Sequence, residues 1–460
     1  MISDLKPYPE YKESGSRWLE KVPLHWEVRN LRTLIRSRNE RNRVDLPLLS
    51  VAREKGVFVR SLTDASENHN VIPEDLSNYK VARSGNLVIN KMKAWQGSMG
   101  IAPCDGIVSP AYFVFDFFVA NRAFGQVLLR SKPYIAHFGQ ASDGVRVGQW
   151  DLTVSGMRQI PVLVPPEVEQ VAIVRFLNWV NGRLERAIRA KKKTIVLLNE
   201  QKQAIIHRAV TRGLDPSVTL KPSGIPWLGN IPQHWEVRRL KSFVSNVNEQ
   251  TTTMNGSDIY IALEHVESWT GRVRPKRKQD EVLFTGQVKK FQAQDVLFGK
   301  LRPYLAKVIT ALMPGVCVGE FFVLRVNSAI VLPLFLENFL RSSTTIDVIN
   351  SSTFGAKMPR ADWGFVGALQ VALPSVVEQR MIVESIGMAT KPLNISIASL
   401  EREIELLREY RTRLVADVVT GKLDVREAAA KLPDKVIPET ANDDLDLNDE
   451  IEPLDEEVSG

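Results

Sequence analysis

The residues that ordinarily carry chemistry are scattered through this chain without the company that catalysis needs. Its six histidines, His25, His69, His137, His207, His234 and His265, form no ligand cluster. The two cysteines, Cys104 and Cys317, stand far apart with no Cys-x-x-Cys or Cys/His grouping, so neither a disulfide framework nor a zinc site is suggested and a reducing setting is expected. There is no Gly-x-x-x-x-Gly-Lys-[Ser/Thr] phosphate loop and no Gly-x-Gly-x-x-Gly cofactor turn. An Asn/Asp-Pro-Pro-Tyr/Phe segment, suited to a flipped base, is also missing; Pro165-Pro166 follows Val164 and opens a helix. Glu200-Gln201-Lys202 has the Glu-x-Lys form of a nuclease core, but it lies on a helix whose apolar spacing accounts for it.

What the sequence offers instead is recognition. Lys, Arg, Gln and Asn at loop tips contact phosphates and base edges, while aromatic residues add stacking and shape. Two such loops occur per half of the chain. "NKMKAWQGS" presents Lys91, Lys93, Trp95 and Gln96 directly after a strand, and "SDGVRVGQWD" presents Arg146 and Gln149. Later, "GKLRPYLAK" presents Lys300, Arg302 and Tyr304, and "FGAKMPRADW" presents Lys357 and Arg360. The run "GRVRPKRK", with Arg272, Arg274, Lys276, Arg277 and Lys278, has no counterpart in the first half and reads as a backbone clamp. Charge agrees: the tail beyond residue 432 carries −10 and the rest of the chain +17, against a total of +7 over 460 residues. A body this basic suits a polyanionic partner such as nucleic acid, and double-stranded DNA is the partner expected. The acidic tail reads as disordered and self-repelling.

The loops come in pairs because the chain is a tandem duplication. A shift of 209 residues takes Trp18, Pro23 and His25-Trp26-Glu27-Val28-Arg29 onto Trp227, Pro232 and His234-Trp235-Glu236-Val237-Arg238. The same shift takes "GNLVINKMKAW" onto "QDVLFGKLRPY", and Pro165, Glu169 and Gln170 onto Pro374, Glu378 and Gln379. His25 and His234, flanked by Trp, are therefore expected to pack at the domain openings.

Each copy has two parts. Short runs rich in Val, Ile, Phe and Tyr, broken by Gly, Pro, Asn and Asp, give mixed α/β domains over 1–165 and 214–374. Stretches dense in Glu, Lys, Arg and Leu give helical regions over 166–213 and 375–425, with an acidic tail over 426–460. Asn181-Gly182 and Pro392 predict a break near the start of each helix, leaving long helices near 183–211 and 392–420. Alternate steps of four and three residues from Leu177 trace a seam through Leu184, Ile188, Ile195, Leu198 and Ile205, with Asn181, Lys191 and Lys202 as polar members. The second copy repeats it with Leu393, Ile397, Leu400, Ile404, Leu407 and Leu414, and with Thr390 and Arg411 polar. This predicts an antiparallel coiled coil with pseudo-twofold symmetry, about 43 Å long at 1.5 Å per residue, and an α+β fold class overall. No window approaches a spanning helix, so no membrane partner is expected and a cytoplasmic location is.

The openings "WLEKVPLHWEVRNLR" and "SGIPWLGNIPQHWEVRRLK", with the helix endings "LLNEQKQAIIHRAVTRGLD" and "LLREYRTRLVADVVTGKLD", closely resemble specificity subunits of type I restriction-modification systems over roughly residues 14–425. The helix endings differ slightly, Arg212-Gly213 standing where Gly421-Lys422 stands later. The resemblance implies two target-recognition domains reading an asymmetric split DNA sequence and no catalytic site in this chain. It also implies two modification subunits that methylate adenine N6 with S-adenosylmethionine, and a motor and nuclease subunit using ATP and Mg, all those cofactors lying on partner subunits. The rival reading is a helical-rod scaffold without DNA specificity, which fits the seam and leaves the basic body unexplained.

Overall fold

The structure is a computed structural model; it describes residues 5–433 except 17, 61–74, 145–149, 254–257, 274–285 and 356–357. Arg146, Gln149 and Lys357, and the Arg274–Lys278 part of the basic run, lie outside the described residues. The chain divides into two compact units: Met1–Ile188 with Glu405–Gly460, and Arg189–Ile404. The division runs through the two long helices, so each unit owns part of both.

In unit 1 the strands that matter are β1 (Ile35–Arg38), β2 (Lys80–Ala82), β3 (Leu87–Asn90), β4 (Met99–Ile101), β5 (Gly106–Val108) and β6 (Tyr112–Phe117). β1, β6, β3 and β4 form an antiparallel sheet in that order, and β5 pairs with β2. Helix α1 (Arg122–Leu129) follows β6, and the chain then reaches the long helix α2 (Glu167–Arg212). Unit 2 repeats the scheme with β7 (Val244–Val247), β8 (Val288–Phe291), β9 (Val296–Gly299), β10 (Val308–Thr310), β11 (Gly315–Cys317) and β12 (Phe321–Val326). Its sheet runs β7-β12-β9-β10, and β11 pairs with β8. Helix α3 (Pro333–Leu340) and the long helix α4 (Val376–Val419) complete it. β3 and β9 are buried along their whole length, and apart from Asn90 at the end of β3 both are apolar.

The expected breaks in the helices are absent. α2 runs through Asn181-Gly182, and α4 runs through Pro392. A glycine costs about 1 kcal/mol in a helix interior and a proline about 3, but packing on either side outweighs both. Leu177, Val180, Leu184 and Ile188 are buried around Gly182, and Ile386, Thr390 and Ile397 around Pro392. Packing thus overrides local propensity.

Along the seam, Leu184, Ile188, Ile397, Ile404 and Leu414 are buried, while Ile195, Leu198, Ile205, Leu393, Leu400 and Leu407 are half-buried. The helices run antiparallel: within unit 2, Lys191 pairs with Glu403 and, further along α2, Lys202 donates to Asn394 Oδ1 at 3.4 Å. Each unit builds its core on its helix segments. Trp26, Phe124, Tyr134 and Phe138 pack with Phe176, Leu177 and Val418 in unit 1; Trp235, Phe298, Phe335 and Phe339 pack with Ile206, Val210 and Ile382 in unit 2.

The repeated opening motif fastens each α/β domain to the start of its helix. Glu169 accepts from Trp26 Nε1 at 3.0 Å and meets His25 Nε2 at 2.8 Å; Glu378 accepts from Trp235 Nε1 at 3.0 Å and meets His234 Nε2 at 2.9 Å. The next residue locks the preceding loop. Gln170 accepts the Asn121 N–H at 3.0 Å and donates to Pro165 O at 2.8 Å, while Gln379 accepts the Leu332 N–H at 2.8 Å and donates to Pro374 O at 3.0 Å.

Candidate nucleic-acid interface

The two candidate loops of each copy meet in space. In unit 1 the N–H of Leu152 donates to the carbonyl of Lys91 at 2.9 Å; in unit 2 the N–H of Ala361 donates to the carbonyl of Lys300 at 2.8 Å. These two bonds are related by the 209-residue shift at both ends. They place the segment after β3 beside residues 150–152, and the segment after β9 beside residues 358–361. One backbone frame therefore carries two different sets of side chains.

In unit 1 Lys91 Nζ pairs with Asp151 at 2.8 Å, both half open to solvent. Lys93 is exposed at the start of a 3-10 turn, Ala94–Gln96. Trp95 donates from Nε1 to Met92 O at 3.1 Å and lies 5.1 Å from Trp150, ring centre to ring centre. Gln96 ends the turn, half-buried, before Gly97. The pair of tryptophans gives this face a rigid apolar ridge, with Met92 exposed beside it.

In unit 2 the same positions hold different chemistry. Arg302, at the site of Lys93, is exposed and left-handed (φ 50°), its N–H held by Pro359 O at 2.8 Å. Tyr304, at the site of Trp95, is exposed. Arg360, at the site of Asp151, pairs with Glu320 at 3.2 Å rather than with Lys300. Exchange of an acid for a base at that one position turns a neutralised lysine in unit 1 into a Lys300 and Arg360 pair in unit 2, with Phe354 exposed on the same hairpin.

Sequence reasoning missed two neighbours of this face. Lys80 on β2 donates to Tyr112 O at 2.7 Å, and Lys289 on β8 donates to Phe321 O at 2.9 Å. Burial holds both ammonium groups below the ordinary lysine range. Arg41 and Lys91 add to the effect at Lys80, and Lys300 at Lys289. The signal was present, because the shift that aligns Lys91 with Lys300 also aligns Lys80 with Lys289.

Nothing among the described residues resembles a reaction centre. No group of three or more His, Cys, Asp or Glu could hold a metal ion there, and no described helix is long and apolar enough to cross a membrane. The histidines are occupied structurally: besides the Glu169 and Glu378 contacts, His137 stacks on Trp18, His207 meets Thr344 at 3.2 Å, and His265 accepts the Ala262 N–H at 3.1 Å. His69 lies outside the described residues. Burial pushes the Cys317 thiol up to about 12, far from a nucleophile's range.

No protein-family model matches the chain. It is similar to the type I restriction enzyme EcoDI specificity subunit of Escherichia coli, 23% identical over 314 residues that cover 61% of this chain and 69% of that one. It is also similar to the putative type I restriction enzyme MjaX specificity subunit of Methanocaldococcus jannaschii, 19% identical over 447 residues covering 90% and 98%. Among solved structures, a chain from a study of complex assembly and conformational transition of the type I R-M system superposes with a TM-score of 0.61, at 15% identity, covering 87% of this chain and 99% of that one. In its sequence relatives and in its fold, the chain is similar to the type I restriction enzyme specificity subunits.

Proposed function

We propose that this chain is the DNA-recognition subunit of a type I restriction-modification complex, each unit reading one half of a split double-stranded target. The observation that carries the reading is the repeated frame of Lys91 with Leu152 and Lys300 with Ala361, which presents unlike side chains at like positions. A reader of an asymmetric bipartite sequence needs that combination: common geometry to sit on the same duplex, and different side chains to read different bases. The scaffold alternative gives no reason for a basic body or for the divergent loops.

The chain supplies no catalytic group. Adenine-N6 methylation and cleavage belong to partner subunits, which hold S-adenosylmethionine, ATP and Mg, and the complex works in the cytoplasm. Two modification subunits fit the repeat. Val168 is 83% exposed in unit 1, and its repeat mate Val377 is 72% exposed in unit 2. Each stands in the first turn of its long helix, next to Glu169 or Glu378, so the chain offers the same apolar contact twice. Restriction subunits join the same assembly.

The test is methylation of a randomised duplex library by the chain co-purified with its modification subunit, against each protein alone. Methylation at a split motif only in the mixture, with each half of the motif following exchange of residues 1–165 or 214–374, is the expected result. A mixture that methylates nothing and selects no motif in binding would return the chain to the scaffold reading.

A further inference from the structure

A third segment touches the candidate interface in each unit. The turn at 109–112 leads from β5 into β6, closed by a bond from the Tyr112 N–H to Ser109 O at 3.0 Å; the turn at 318–321 leads from β11 into β12, closed from the Phe321 N–H to Val318 O at 3.2 Å. The carbonyl that ends each turn is the one that accepts the lysine, Lys80 at Tyr112 and Lys289 at Phe321. Lys289 is 8% exposed, and a strand position so enclosed ordinarily takes Val or Ile. Burying an ammonium group is costly unless its hydrogen bonds are supplied. Unit 2 nevertheless buries one, unit 1 half-buries its repeat mate Lys80, and both spend it on the same carbonyl.

The turn is also joined to the DNA-facing loops. In unit 2 the Lys300 N–H donates to Glu320 O at 2.9 Å, and the Glu320 carboxylate holds Arg360. The residues presented there differ between units: Ser109-Pro110-Ala111 against Val318-Gly319-Glu320, open or half open to solvent in each case. A serine hydroxyl bonds either donors or acceptors on a base edge, whereas a glutamate accepts from the cytosine amino group. We propose that this turn is a third recognition segment in each unit, and that Lys80 and Lys289 are positioning residues that fix it beside the loops carrying Lys91 and Lys300. The proposal rests on the DNA-recognition reading above and adds to it a residue pair and a segment.

The experiment uses the complex with the modification subunit on the randomised library. A split motif from the unaltered complex is required first; its absence sinks the recognition reading itself, whatever the lysines do. Given that motif, Lys289→Met should lower discrimination at one or two base pairs of a single half-site by at least tenfold, with the other half intact. Lys80→Met should do the same to the opposite half. Lys289→Arg should restore part of the loss, and the salt dependence of binding should stay unchanged, because a positioning cation releases no counterions. Glu320→Gln leaves the lysine in place and should alter preference in the same half-site as Lys289→Met. An intact motif with Lys289→Met, a weakening equal at both halves, or a salt slope shallower by about one would each overturn the proposal. So would a Glu320→Gln complex with unaltered preference.

Discussion

Arg411 of unit 1 donates to Glu185 across the helix pair, and the residue 209 positions before Arg411, Lys202, donates to Asn394, the residue 209 positions after Glu185. Both ends of the two contacts are thus repeat-related. The seam is polar at the same place in each unit, and the pair is an ion pair in one and a lysine with an amide in the other. Polar seam positions of this kind fix register and direction in helix pairs.

The difference has a measurable consequence at Lys202. Its side chain is buried, and burial lowers its pKa, with Arg341 and Arg272 acting the same way and Glu267 and Glu401 opposing. A lysine whose folded pKa is depressed takes up a proton more readily in the unfolded chain. Its cost is therefore full below the folded pKa, shrinks as pH rises, and is gone above the ordinary value of 10.5. Replacement by methionine, similar in length and without charge, should stabilise the protein by about 1 kcal/mol at pH 7. Denaturant titrations of Lys202→Met and the unaltered chain should converge as pH approaches 10.5. A constant difference across that window would mean that the gain comes from packing.

Glu169 and Glu378 are the most economical places to loosen a unit. Each carboxylate holds a buried tryptophan N–H and a histidine, and Trp26 and Trp235 are fully enclosed. Truncation to alanine leaves a buried donor without a partner, at about 1–3 kcal/mol. Glu169→Ala should lower the stability of unit 1, and Glu378→Ala that of unit 2, each read by hydrogen exchange of that unit's backbone amides. Glu169 should be the more sensitive, since Tyr8 Oη also bonds its carboxylate and Glu169 is 4% exposed against 26% for the Glu378 side chain.

The long helices end on glycines with unequal surroundings. Gly213 (φ 73°) and Gly421 (φ 77°) both adopt the left-handed conformation that closes a helix. A methyl group on Gly421 would come within 2.5 Å of Pro23 Cδ, whereas on Gly213 its nearest neighbours are at 3.4 Å. Gly213→Ala should cost about 1 kcal/mol for the backbone alone, and Gly421→Ala a further 1–3 kcal/mol for the clash. Equal melting shifts for the two variants would show that the Pro23 ring moves aside.

Much of this was legible because duplication doubles every signal. The 209-residue shift alone exposes the opening motif, the paired loops and the seam from Leu184 to Ile205 and from Leu393 to Leu414. Two things were not legible. The helix through Gly182 and Pro392 depends on the burial of Leu184 and Ile397 by residues distant in sequence, which no local preference encodes. Lys80 and Lys289 were hidden because a lysine turned toward a backbone carbonyl looks, in sequence, like any surface lysine in a strand; only the carbonyl it meets distinguishes it.

The charge exchange between Asp151 and Arg360 makes the two faces respond oppositely to mutation. Lys91 is held by Asp151 at 2.8 Å, so its charge is compensated before DNA arrives, while Arg360 adds to Lys300 and is answered by Glu320. Each phosphate neutralised contributes about −0.9 to the slope of log affinity against log salt. Asp151→Asn should free Lys91, raise affinity for a non-cognate duplex several-fold near 50 mM salt, and steepen the slope by about one. Arg360→Gln should lower affinity and flatten the slope by a similar amount. Fluorescence anisotropy on one labelled duplex between 50 and 200 mM salt, with the assembled complex, compares both variants. If the slopes of both matched the unaltered complex, neither loop would lie against the phosphate backbone, and the reading face would have to be sought elsewhere on each unit.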